Sequence, residues 1–131
     1  MKLTNTTKRA KGMTLLELTV VILVLLSLIS ILFIGARAWK KGSDKAGCIM
    51  NIRNVQQAVR SWQNMNNKNV GATYAVTTDI IGTGLFVESA PVCPGGGTYT
   101  TATAVPDIGT AVLSCSLSTS DGHVPPSLSG W

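Results

Sequence analysis

Gly12 and Glu17 are the first residues whose type and spacing suggest chemistry. Glu17 lies within "KGMTLLELTVVILVLLSL", residues 11–28, and carries the one charge between Met13 and Ile34. A carboxylate near the centre of a membrane helix costs about 2.5–3.5 kcal/mol on insertion scales, and less towards one end. Two arrangements could relieve that cost. Glu17 follows Met13 by four residues and could reach a membrane interface. Alternatively, a cut between Gly12 and Met13 would create an α-amine one helical turn from Glu17. An ammonium and a carboxylate attract far more strongly in low dielectric than in water. The amine of a neighbouring chain would serve as well, so the pairing would favour association.

Cysteine offers the second chemistry. Cys93 and Cys115 are 22 residues apart and flank the two best strand candidates. A disulfide between them would stabilise a small head by about 3 kcal/mol in the chain-entropy model. It would also imply an oxidising compartment. Cys48 is then the odd cysteine, a small hydrophobe on a buried helical face. Joined instead to Cys93 or Cys115, it would pin helix to sheet. Cys48, Cys93, Cys115 and the sole histidine, His123, contain no C-x-x-C pair. Their spacings are wrong for a structural zinc module, so no metal ligand is assigned. No set of nucleophile, base and orienter is present, and the chain is not expected to be an enzyme. The Gly95-Gly96-Gly97 run is not followed by the Gly-Lys-Ser/Thr of a phosphate loop.

The elements that position these residues follow from composition. At 131 residues the chain has room for one domain. Its 45% hydrophobic share is concentrated in Met13–Ile34, where Thr14, Thr19, Ser27 and Ser30 are the uncharged polar residues. As a helix this run is about 33 Å long, which matches a hydrocarbon core of about 30 Å. It exceeds the apolar region of about 7–15 residues in a secretory signal, although Ala36-Arg37-Ala38 imitates a cleavage site. The net charge of +5 is misleading, because Lys2, Lys8, Arg9 and Lys11 all precede the apolar run. Without residues 1–12, seven Lys and Arg face six Asp and Glu. Beyond Lys68 there are only acids: Asp79, Glu88, Asp107 and Asp121. A basic nucleic-acid footprint is therefore absent from that half. The basic leader favours a cytoplasmic N-terminus, Arg37, Lys40, Lys41 and Lys45 oppose it, and the cysteines tip the balance towards an exported C-terminal part.

Residues 8–34, "KRAKGMTLLELTVVILVLLSLISILFI", resemble the N-terminus of type IV pilins and type II secretion pseudopilins. Gly12, Met13, Thr14, Leu15, Leu16 and Glu17 match the family pattern in order: a basic leader ending in Gly, a large apolar residue, a Thr-Leu-Leu-Glu-like stretch, then an apolar helix. Met13 stands where the family usually has Phe. The resemblance implies that prepilin peptidase cuts after Gly12 and methylates the new amine of Met13. It implies that Glu17 pairs with the amine of an adjacent subunit as a homo-oligomeric helical filament grows. The implied partners are the inner membrane, before assembly, and an assembly platform with its ATPase. No cofactor is implied beyond Ca2+ in a C-terminal loop, for which Asp107 and Asp121 are the candidate ligands. "VCPGGGTYT", "VLSCS" and "DGH" resemble the C-terminal part of some short bacterial pilin-like proteins. The competing expectations are a membrane-anchored monomeric extracytoplasmic binding protein with an uncleaved signal anchor, and a secreted protein cut near Ala38.

The expected fold class is α+β: a long N-terminal helix packed on a small antiparallel sheet. Residues 1–12 form the leader, 13–36 the apolar helix, 37–64 its amphipathic continuation and 65–131 a β-rich head. Cys48, Ile52, Val55, Val59 and Trp62 repeat at intervals of 4, 3, 4 and 3, which draws a strip down one helical face. Gly35, Gly42 and Gly47 each weaken a helix by about 1 kcal/mol, so a bend or local melting is expected there. The Asn-rich "QNMNNKNVGA", residues 63–72, should end the helix. Expected strands are Tyr74–Thr77, Leu85–Val87, Thr98–Thr101 and Ala111–Cys115, with Thr78 and Asp79 capping one helical turn and a hairpin loop between Thr101 and Ala111.

Overall fold

The computed structural model describes Gly12 and residues 14–131. Residues 1–11 and Met13, which carry the expected leader and the expected methylated terminus, lie outside the described residues. Two compact units meet in sequence at Arg37 and Ala38. One helix, α1 (Leu15–Met65), contributes to both.

In the first unit, α1 begins at a reciprocal cap. Glu17 N donates to Thr14 Oγ1 at 3.3 Å, and Thr14 N donates to Glu17 Oε2 at 3.0 Å. This is the Thr-x-x-Glu capping box, which satisfies donors that a helix start otherwise leaves unpaired. The hydroxyls further along turn inward on their own backbone. Thr19, Ser27 and Ser30 donate to the carbonyls of Leu16, Leu23 and Leu26 at 2.8, 2.9 and 2.8 Å. The large apolar side chains from Leu15 to Ile34 are between 45% and 80% exposed on every side of the helix. A stretch of 18 residues there has a mean hydropathy of 3.0, long and apolar enough to cross a membrane.

In the second unit, the strip on α1 becomes the floor of a core. Cys48, Ile52, Val55, Val59 and Trp62 are all buried, joined by Ala58. Against them pack Tyr74, Ile80, Cys93, Val105, Val112, Leu113 and Cys115. Helical structure carries on through Gly35, Gly42 and Gly47 without a break, unlike the melting expected from propensity. At Gly47 the reason is packing: a Cβ there would lie 2.9 Å from Pro94 Cγ. The helix ends at Met65, just inside the Asn-rich segment.

The sheet is smaller than expected. β1 (Tyr99–Thr101) pairs antiparallel with β2 (Leu113–Cys115), in the register Tyr99↔Cys115 and Thr101↔Leu113. The expected strand at 74–77 is absent, with one bridge just before it, Thr73↔Ala104, and the one at 85–87 reduces to the single bridge Ile81↔Val87. Their backbone groups are satisfied elsewhere. Tyr74 N donates to Thr103 O, Val105 N to Ala72 O and Gly71 N to Val105 O, so the loop after β1 turns back on residues 71–74 and buries Val105. The helical turn falls at Val76–Ile80, slightly earlier than expected, and Asp79 Oδ2 caps it by accepting from Ala75 N at 2.8 Å.

The polar key to this packing is Gln56. It is 2% exposed and sits among the apolar residues of the strip. Gln56 Oε1 accepts from Val112 N at 2.7 Å, and Gln56 Nε2 donates to Thr110 O at 3.2 Å. A helix side chain thus supplies the hydrogen bonds a further strand would have made to this segment.

Candidate metal centre

Four residues from four separate segments converge beside the lower end of the strip. Cys48 is presented by α1, one residue after the glycine that admits Pro94. Cys93 precedes that proline and opens a tight turn closed by Gly96 N donating to Cys93 O at 3.0 Å. Gly96 has φ +82°, a left-handed conformation that glycine adopts without the Cβ penalty. Cys115 ends β2, on its buried face. After it the chain doubles back, with Ser118 N bonded to Cys115 O and His123 N bonded to Leu117 O. That return brings His123 into the interior at 3% exposure.

The potential ligand atoms of Cys48, Cys93, Cys115 and His123 all lie within 4.8 Å of one another. Cys93 Sγ is 3.4 Å from His123 Nδ1 and 3.8 Å from Cys115 Sγ. All three cysteines are free thiols in this structure, and a disulfide would need the sulfurs at about 2.05 Å. The glycines of "CPGGG" are shaped to this cluster. A Cβ on Gly95 would sit 2.7 Å from His123 Cε1, and one on Gly97 would sit 2.8 Å from Cys115 Sγ.

A shell of donors surrounds the sulfurs. Tyr99 OH donates to Cys48 Sγ at 3.3 Å, and Asn51 Nδ2 holds that phenol by donating to its oxygen at 3.2 Å. Asn51 Nδ2 also donates to Val92 O at 2.9 Å, next to Cys93. Burial raises the Cys93 thiol, but the N–H groups of Gly97 and Gly95, then His123 and Cys115, outweigh it and hold Cys93 at about 7. Burial pushes Cys48 the other way, to about 12, against the opposing bond from Tyr99. The same burial raises the Tyr99 phenol. Burial and the neighbouring donors thus move these two thiols in opposite directions.

Sequence reasoning grouped Cys93 with Cys115, and the structure brings these two together. It adds Cys48 and His123, which the absence of a C-x-x-C pair had set aside. Tyr99 and Asn51 carried no local signal. The three consecutive glycines were the available clue, since such a run marks a close approach to something bulky. Asp107 and Asp121, the candidate calcium ligands, are not part of this group; Asp121 Oδ1 lies 3.7 Å from Lys41 Nζ. Glu17 is placed at the helix start, with Thr14 as its partner. No family model, curated protein or solved structure matches the chain.

Proposed function

We propose that the chain is a structural subunit, not an enzyme, of a type IV pilus-like or type II secretion pseudopilus filament. The observation that carries this reading is the apolar part of α1. From Leu15 to Ile34 its large side chains are exposed around the whole circumference. A helix that is apolar all round belongs in lipid or in a bundle of its own kind. The subunit is stored in the inner membrane as a single-pass protein with its head outside the cytoplasm. Prepilin peptidase removes the leader after Gly12 and methylates Met13. An assembly platform and its ATPase then extract the subunit into a homo-oligomeric filament with the apolar helices at its core.

Glu17 has two duties in this scheme. Its Oε2 caps its own helix through Thr14 N. Its remaining charge meets the terminal amine of an adjacent subunit, which removes the cost of an unpaired acid in an apolar bundle. The head needs no catalytic groups and forms the outer surface.

N-terminal mass spectrometry of the protein from its native host tests the reading. The expected mature chain starts at Met13, and Gly12→Asp retains the leader. Glu17→Val inserts and is cut, yet polymerises poorly. A chain that keeps Met1, forms no polymer and ignores Glu17 substitution would instead be a monomeric membrane-anchored protein.

A further inference from the structure

We infer that Cys48, Cys93, Cys115 and His123 bind one zinc ion in a closed tetrahedral site that fastens α1 to the head. This holds whether or not the chain polymerises. The donor set comes first. Three sulfurs and one imidazole nitrogen suit a structural zinc, which takes Cys and His ligands in fours. Soft thiolates discriminate against calcium and magnesium, which take oxygen.

Geometry comes second. With Zn–S bonds of about 2.3 Å, a tetrahedron has sulfur–sulfur edges of about 3.8 Å. Cys93 and Cys115 already stand 3.8 Å apart. With a Zn–N bond of about 2.05 Å, the sulfur–nitrogen edge is about 3.6 Å. Cys93 Sγ and His123 Nδ1 are 3.4 Å apart. All four ligand atoms lie within 4.8 Å of one another, so closing the wider pairs by about 1 Å completes the tetrahedron, and all four residues are buried, so no position faces solvent for a substrate.

The surroundings come third. A zinc bound by three thiolates and neutral histidine carries a net negative charge, and buried thiolates need donors. Tyr99 OH serves Cys48, and Asn51 Nδ2 holds that phenol in place. Lys45 Nζ lies against Gly122, the residue before His123. On binding, each thiol releases one proton to solvent, His123 ligates as the neutral ring, and the ion exchanges its water for three sulfurs and a nitrogen. Nothing is oxidised. Gly95 and Gly97 leave room for the imidazole and for Cys115, so the glycine run lets these ligands approach one point.

The test uses the full chain, reduced and solubilised in detergent, with zinc or cobalt as the probe. Native mass spectrometry should show one zinc per chain at equimolar metal, and the bound zinc should protect all three thiols from alkylation. Cobalt should give the visible bands and sulfur-to-metal charge transfer of a tetrahedral thiolate complex. Tyr99→Phe should weaken binding about 10- to 100-fold, as loss of a supporting donor does. His123→Cys should keep stoichiometric zinc with an altered cobalt spectrum, and this guards against misfolding of the simpler Cys48→Ser and His123→Gln variants. Folded, reduced wild type that stays metal-free at equimolar zinc overturns the proposal. So does protein from the native host that carries a Cys93–Cys115 disulfide and no zinc.

Discussion

Replacing Gln56 by Met isolates the contribution of one side chain to the way the helix holds the sheet. Met keeps the length and most of the volume, so packing changes little. What is lost is the bond to Thr110 O and the bond from Val112 N. Thr110 is exposed, so its carbonyl can turn to water and the loss is that of one ordinary hydrogen bond, about 0.5–1.5 kcal/mol. Val112 is 1% exposed, and its N–H has no route to water. An unpaired buried donor costs about 1–3 kcal/mol. The expected loss is therefore about 2–4 kcal/mol, a large part of the stability of a small unit. At about 4–8 °C per kcal/mol for a domain of this size, the melting temperature should fall by about 10–30 °C. Calorimetry of the detergent-solubilised chain reads the global change, and hydrogen exchange at the Val112 amide reads the local one. Gln57→Met, at an exposed neighbour, is the control and should be neutral. A Gln56→Met chain that melts within about 3 °C of wild type, with Val112 still protected, refutes the account.

Two further outcomes follow from the packing. Gly42→Ala should stabilise the helix by about 1 kcal/mol, since nothing lies near its missing Cβ, whereas Gly47→Ala should destabilise through Pro94; equal effects in urea melts would contradict the contact. Tyr74 has a hydroxyl with no hydrogen-bond partner among the described residues, so Tyr74→Phe should be neutral or stabilising by about 1 kcal/mol at pH 7. Burial raises the Tyr74 phenol above its usual 10.0, so the unfolded chain ionises first. The stability it supports is whole below pH 10.0 and declines as pH rises towards the folded value. Tyr74→Phe should accordingly reduce the loss of stability on alkaline titration, measured by unfolding at pH 8 and above 10.0.

The strip from Cys48 to Trp62 could be read from the letters because helical periodicity is local. So could the cap at Thr14 and Glu17, which four consecutive residues spell out, although the expense of an acid in an apolar run drew the reading towards an amine. Gln56 could not. A glutamine on a helix ordinarily faces solvent, and its partners are 54 and 56 residues away. The same distance problem hid the four-residue cluster. Cys48, Cys93, Cys115 and His123 were visible as types, but their meeting depends on where α1, the 93–97 turn and the chain after β2 come to rest. Strand length was overestimated because β-prone residues at 74–77 and 85–87 have the right side chains, while their backbone bonds are taken by loop and turn.

Thr19, Ser27 and Ser30 keep their protons for the turn that bears them. A second copy lying alongside this stretch would find no directional donor to grip, only the contour of branched hydrocarbon. In such a pairing, hydrogen bonds donated by these hydroxyls would be missing from the contact, and dispersion between close surfaces would set the fit. Between Thr19 and Ser30 such a seam would slip and re-engage under tension without first breaking a hydroxyl bond.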